Sequence, residues 1–162
     1  MQPDVETFRI GMRRLASAVS VVTTAAQGER HGMTASAVCS VSAQPPQLLV
    51  CINRNARTHD LIERAKCFAV NVLGAEQVEL ARRFSLPSMP PADRFDHGSW
   101  GELITGSPVL RDCVVAFDCR VDTAVESGTH TIFIGRVLAV SEHPGTGLLY
   151  ADRQFGSFAQ AC

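Results

Sequence analysis

Three closely spaced runs rich in β-branched and small residues constrain this chain most: AVSVVTTAA (18–26), GMTASAVCSVS (32–42) and QLLVCIN (47–53). Only Gly28 and Pro45-Pro46 punctuate them, so they read as strands joined by short turns. CFAVNVL (67–73) returns to the same texture, and so does the C-terminal third. In VVAFDCRV (114–121), alternation puts Val115, Phe117, Cys119 and Val121 on one face and Asp118 and Arg120 on the other. HTIFIGRVLAV (130–140) is apolar on both faces, as suits a central or interface-buried strand.

Helical signals are few. Val5, Phe8, Met12 and Leu15 predict an amphipathic helix over 4–15, starting after Pro3. Thr58 is placed to cap a short helix, THDLIERAK, and Leu80 and Phe84 stand four apart in a second helical pattern after Gly74. Residues 85–101, SLPSMPPADRFDHGSWG, carry three prolines and little periodicity, and read as a long surface excursion. Strands and helices do not alternate regularly, which disfavours a doubly wound parallel sheet. The Pro144-Gly145-Thr146-Gly147 turn lacks the dinucleotide-binding fingerprint. The expected architecture is a closed or split antiparallel β-barrel with a few short peripheral helices, in a single domain over 1–162.

Composition narrows the function classes. Apolar residues at 46% and charged ones at 19%, with a net charge of −1 and no block of like charges, give no footprint for nucleic acid. The apolar runs fall far short of the ~20 residues a membrane span needs. Cys39, Cys51, Cys67, Cys113, Cys119 and Cys162 include no CxxC and no zinc-like spacing with histidine, and no apolar signal core precedes them. Several alternate with Val, Ala or Phe, as buried strand residues do, so reduced thiols in a cytoplasm are expected, with no metal.

Three stretches are candidates for chemistry. Gly32-Met33-Thr34-Ala35-Ser36 carries mostly small side chains within a strand. That suits either close packing on a neighbour or a bare backbone on which a flat ring could lie. Asn53-Arg54-Asn55-Ala56-Arg57-Thr58 runs from a strand end into a helix start. It is either an ordinary cap with solvated arginines or a phosphate site built on the helix N-terminus. His130 opens an apolar strand, a position held by structural histidines as well as functional ones. His31, His59, His97 and His143 sit among polar or loop residues and receive no role.

These stretches fall within a longer pattern. GMTASAVCSVSAQPPQLLVCINRNARTH (32–59) resembles the signature of short-chain flavin reductases. The segments Gly106–Leu110, Gly128–Val137 and Gly147–Tyr150, followed by Asp152–Phe155, match the same family in the same order, so the resemblance runs almost end to end. It implies an FMN-binding split β-barrel, antiparallel and Greek-key-like, that works as a homodimer. It also implies hydride transfer from NADH, or NADPH, to FMN or FAD, which supplies reduced flavin to a separate monooxygenase. The family also leaves open a reductase that retains flavin and acts on a corrin or metal ion, and a non-enzymatic flavin-binding electron carrier.

The resemblance places Thr34, Ala35 and Ser36 under the flavin ring, with Ser40, Val41 and Ser42 continuing along it. Asn53, Arg54, Asn55, Ala56, Arg57 and Thr58 match the loop holding the ribityl phosphate, and Phe84 and Ser85 the part that closes over the distal flavin. His130 matches the histidine that meets the nicotinamide nucleotide, as catalytic candidate, with Tyr150, Arg153 and Phe155 lining that side. Two departures stand out: Ala56 replaces a common serine, and Gly156 a histidine often found after the terminal aromatic residue.

Overall fold

Most of the strand runs roll into one curved antiparallel sheet, flanked by a three-stranded and a two-stranded one, in the computed structural model, which describes residues 4–159. In chain order the elements are α1 (Val5–Arg13), β1 (Ser17–Ala18), β2 (Ser20–Ala26), β3 (Glu29–Ala35), β4 (Val38–Ala43) and β5 (Pro46–Asn53). Next come α2 (Arg57–Ala65), β6 (Cys67–Val72), α3 (Val78–Ser85), α4 (Pro91–Phe95), β7 (Trp100–Gly101) and β8 (Val109–Leu110). The long hairpin of β9 (Val115–Ser127) and β10 (His130–Glu142) follows, and then β11 (Leu148–Ala151) and β12 (Gln154–Ser157).

Seven strands form the main sheet in the order β3-β2-β6-β9-β10-β5-β4. Its two outermost strands are consecutive in sequence, joined by Ser36 and Ala37 alone. Three Cα–Cα steps reach at most about 11 Å, so the sheet must roll until its edges nearly meet. The edges do not pair with each other, which leaves the barrel split along β3 and β4.

The sheet buries apolar side chains on both surfaces. Inside the roll, Val22, Val50, Ile52, Phe68, Val70, Cys119 and Phe133 pack with Ile62 of α2. Outside, Val21, Ala69 and Ala116 pack against Leu80, Ala81 and Phe84 of α3, Phe95 of α4 and Leu110 of β8. Strand β10 runs between β5 and β9, the central place its two apolar faces predict.

Several expectations need correction. The 32–42 run is two strands, because the Ser36 carbonyl accepts from Val38 N–H and the Ala37 carbonyl from Cys51 N–H, turning the chain. Strand 114–121 extends to Ser127, paired along its length with β10. Asp118, expected on a polar face, is fully buried. Its carboxylate accepts from the N–H groups of Ile104 (2.7 Å) and Thr105 (2.8 Å) and from the Thr105 hydroxyl. The 85–101 excursion contains α4 and β7, and it anchors Arg94 and Phe95 in the interior. Helix α1 is capped by Asp4, ends at Arg13 and buries none of its residues. The expected start after Pro3 adjoins residues 1–3, which lie outside the described residues.

Cys39, Cys51, Cys67, Cys113 and Cys119 are free thiols, while Cys162 lies outside the described residues. Among the described residues, no helix is long and apolar enough to cross a membrane. No group of three or more His, Cys, Asp or Glu among them is placed to hold a metal ion.

Gly135 of β10 packs closely on β6 and β9. A Cβ there would lie 2.6 Å from Phe68 Cζ and 2.9 Å from Cys119 Cβ. Gly135→Ala is therefore expected to cost about 1–3 kcal/mol by overpacking. Urea unfolding measures it, and an unchanged midpoint would contradict this packing.

Candidate functional site

The split edge opens into a groove. Strand β3 pairs only with β2, so one side of its backbone has no strand partner. The Gly32 carbonyl on that side accepts from Arg94 Nη1 at 2.7 Å. Thr34, two residues on, shares this open side in an antiparallel strand. Its hydroxyl donates to the Ala81 carbonyl at 2.6 Å, which holds β3 against α3.

A cavity of about 570 Å3 lies at one end, bounded by His31, Met33 and Thr34 of β3, the start of α2, and Phe84, Ser85 and Arg94. A second, of about 760 Å3, shares Thr34 and Ser85 and continues past Ala35 and Ser36 to Tyr150, Arg153 and Phe155. A third, of about 540 Å3, shares Ser36 and Tyr150 and reaches α1. The three make one continuous groove along the split.

The first end is built by a tight loop. Asn53 accepts Asn55 N–H on its side chain (2.9 Å) and Ala56 N–H on its carbonyl (3.0 Å). Ala56 is the N-cap of α2 and supplies no side-chain bond, so the cap expected from Thr58 is absent. Thr58 lies inside the helix, buried, sharing a 2.8 Å hydrogen bond with His31 Nδ1. His59 N–H already donates to the Ala56 carbonyl at 2.9 Å, so the N–H groups of Arg57 and Thr58 are the ones left for an outside acceptor. Arg57 borders the cavity, and its guanidinium donates twice to Glu29, at 3.0 Å each. Arg64 joins the same carboxylate at 3.2 Å, and the Arg57 hydrogen bond leads in holding the Glu29 carboxyl below its ordinary value. Arg54 does not border the cavity. It pairs with Glu126 at 3.1 Å, and its N–H donates to the Thr129 carbonyl, tying the loop to the β9–β10 tip.

The other end is aromatic. Tyr150 and Phe155 face each other across β11 and β12 with ring centroids 5.0 Å apart. The Arg82 guanidinium lies 5.8 Å from the Phe155 centroid. Asp152 and Arg153 make the connecting turn with φ of 48° and 65°, and Asp152 N–H donates to the Arg13 carbonyl at 2.7 Å.

Thr34, Ala35, Ser36, Asn53, Asn55, Ala56, Arg57, Thr58, Ser85, Tyr150, Arg153 and Phe155 thus meet along one groove. Phe84 is its floor more than its cover, 1% exposed and packed edge-on to Phe95 at 5.2 Å. Ser40, Val41 and Ser42 lie away from the groove on edge strand β4, where the register shifts between Ser40 and Ser42. His130 also lies off it: it pairs opposite Asn53, and its Nδ1 lies 2.9 Å from the Thr129 hydroxyl.

Two groove residues were not legible as functional from sequence. His31 is buried on the cavity wall, two residues before Met33 on β3, a spacing that signals a shared face. Arg94 is the one arginine of the proline-rich 85–101 stretch, which has no lysine, and only burial gives it meaning. Burial, and then the charge of Arg94, draw the His31 pKa down to about 4, so it is neutral at neutral pH. His59 serves structure instead, with Nε2 2.8 Å from the Thr131 hydroxyl and its ring against Phe133.

Residues 12–159 match the family described as flavin reductase like domain. The chain is 42% identical to the FMN reductase (NADH) RutF of Acinetobacter baylyi over 96% of its own length and 82% of that protein. Among solved structures, it is similar to the NADH:FAD oxidoreductase SgcE6 of Streptomyces globisporus C-1027 in complex with NAD and FAD fragments. That match has a TM-score of 0.89 and 34% identity, covering 96% of this chain and 93% of the other. It also resembles BorF, the flavin reductase component of a bacterial two-component tryptophan halogenase. There the TM-score is 0.89 at 32% identity, over 98% of this chain and all of that one.

The neutral His31 has a measurable consequence. Unfolded, its pKa is near 6.5, and folded it is about 4. Both states are uncharged above pH 6.5, and as pH falls from 6.5 toward 4 the unfolded chain takes up the proton first. Stability is lost across that window, at up to about 1.4 kcal/mol per pH unit from this group. His31→Gln should remove this part of the acid sensitivity in urea unfolding near pH 7 and pH 5. Equal acid sensitivity of variant and wild type would contradict the assignment.

Proposed function

Because this chain belongs to the flavin reductase like domain family, we propose that its groove takes both partners of a hydride transfer from NADH to flavin. It is an NADH-dependent flavin reductase using FMN or FAD, and it supplies reduced flavin to a partner monooxygenase. One observation carries the reading: an open strand edge with small side chains leads directly into an uncapped helix N-terminus. A flat ring joined to a phosphate has that shape and charge. Residues 1–162 act as one domain, and the free thiols among the described residues suit a reducing cytoplasm.

The residues fit a flavin. The first N–H groups of α2, with Arg57 beside them, hold the phosphate, and the Asn53–Ala56 loop shapes its pocket. Ala56 offers no hydroxyl there, so the backbone and Arg57 carry the contact. Thr34, Ala35 and Ser36 lay their backbone along the ring, where fixed N–H dipoles favour negative charge at N1 and O2. Bound there, flavin supplies the hydride acceptor, its N5, to nicotinamide C4. Tyr150, Arg153 and Phe155 then flank the nicotinamide nucleotide and exclude water. His130, which lies off the groove opposite Asn53, is the proposed hydrogen-bond partner of the nucleotide from outside the groove and exchanges no hydride itself.

Reacting atoms must approach to about 3–3.5 Å, so positioning is the main contribution of the protein. A second copy of the chain completes this arrangement. Val5, Phe8 and Met12 form an exposed apolar face on α1 with Leu15 just beyond its end, and β10 and its hairpin partner expose Val140 and Val125. A homodimer covers such surface, and brings Ser40, Val41 and Ser42 into use as flavin contacts.

The purified protein should oxidise NADH rapidly only when FMN or FAD is supplied. NADH oxidation assayed with and without each flavin tests this, and no stimulation by either flavin would end the proposal.

Two variants separate the two ligand sites. Arg57→Ala loses one charge-assisted hydrogen bond, about 1.5–3 kcal/mol or roughly 10- to 150-fold in FMN affinity, with riboflavin nearly unaffected. Equal losses for both flavins would remove Arg57 from the phosphate. His130→Ala should lower kcat/KM for NADH by about 5- to 150-fold while leaving flavin affinity and Tm unchanged. A destabilised His130→Ala protein with normal NADH kinetics would instead assign His130 to structure.

Light scattering at micromolar concentration should report twice the 17.5 kDa chain mass. A monomer at that concentration would contradict the dimer.

A further inference from the structure

Arg94 is the one cavity residue whose charge has no counterpart. It is 5% exposed, yet its guanidinium donates only to neutral oxygens: the carbonyls of Gly32 (2.7 Å), Leu86 (2.7 Å), Met89 (3.1 Å) and Pro87 (3.5 Å). Among the described residues, no carboxylate lies within ion-pairing distance of it. Four of the five N–H groups of an arginine are thereby used, and one on Nη1 remains.

Carbonyl dipoles lower the cost of burying a cation but leave its net charge in place. A buried unpaired charge is costly, and its position is informative: Arg94 lines the same 570 Å3 cavity as Arg57, Thr58 and the start of α2. The other charged groups nearby do not neutralise it. Arg57 adds positive charge; Glu29, which Arg64 also engages, takes its Nε and Nη2 and leaves its Nη1 open to a ligand. His31 is uncharged at neutral pH. The walls thus carry a fixed positive charge that only something entering the cavity can balance.

We propose that Arg94 is a specificity-determining residue that selects a phosphate-bearing flavin over an uncharged one by its buried charge. The proposal rests on the flavin reading above. Arg94 acts through the field its buried charge sets at the cavity wall, while the helix N–H groups and Arg57 make the direct contacts. Its bonds to Gly32 and to the 86–89 carbonyls fix that charge beside the β3 edge. The flavin with a phosphate monoester, FMN, gains from this field, and riboflavin does not.

The test is the ratio of FMN to riboflavin affinity, from flavin-fluorescence titration of the full-length protein. Wild type should prefer FMN at least 10-fold. No preference would overturn the flavin-phosphate reading itself. Arg94→Gln, which removes the charge and keeps an amide donor, should cut the ratio at least 10-fold with riboflavin affinity changed less than about 3-fold. Arg94→Lys, which keeps the charge, should hold the ratio within about 3-fold. A wild-type ratio in Arg94→Gln, or a collapse in Arg94→Lys, would overturn the role of Arg94 and leave the flavin reading standing.

If Arg94→Gln does not fold, the wild-type protein still decides. The second ionisation of a phosphate monoester falls near pH 6, so FMN affinity should fall severalfold from about pH 7.5 to about pH 5.5 while riboflavin affinity stays flat. His31, with a pKa of about 4, stays neutral across that range. An FMN affinity that does not change with pH would overturn the proposal.

Discussion

The two-residue link between β3 and β4 is the constraint on which the rest of the molecule depends. It forces the outermost strands of a seven-stranded sheet into proximity without letting them pair. Closing that seam would satisfy the backbone and abolish the edge. Leaving it open keeps one side of the β3 backbone available, and the helices α2 and α3 border the opening. The groove is a consequence of topology before any side chain is considered.

What surrounds the seam explains why it stays open without exposing the interior. The sheet buries apolar residues on both surfaces, so the roll is held by two packed layers and does not need edge pairing. Thr34 is tied to α3 and Gly32 to Arg94, which fixes the edge strand from outside. Small side chains at 34–36 keep the exposed backbone uncovered. One end joins a helix N-terminus to Arg57 and the buried Arg94, and the other places Tyr150 and Phe155 beside Arg82 and Arg153, the features that a phosphate and a stacked ring pair require.

Much of this was legible in the sequence, and the exceptions have physical causes. The β-branched runs 47–53 and 67–73 are strands in place, because period and turn residues agree there, whereas 18–26 divides at Val19 between β1 of the small sheet and β2 of the main one. The 32–42 run looked continuous because Ser36 and Ala37 carry no turn signal, although the chain bends at them. Asp118 alternates with apolar neighbours as an exposed residue would, and its burial depends on N–H groups of the 104–105 loop that no local pattern reveals. The resemblance gathered most of the groove residues. It did not identify His31 and Arg94, whose roles come from burial and, for His31, from the nearby charge of Arg94.

The claim most worth testing directly is that the helix N-terminus and the open strand edge hold the two ends of one flavin. A crystal structure of the protein with FMN answers it. The account predicts the phosphate within hydrogen-bonding distance of the first N–H groups of α2 and the ring lying along Thr34–Ser36. A flavin bound elsewhere, or bound with its phosphate in solvent and its ring away from β3, would contradict it.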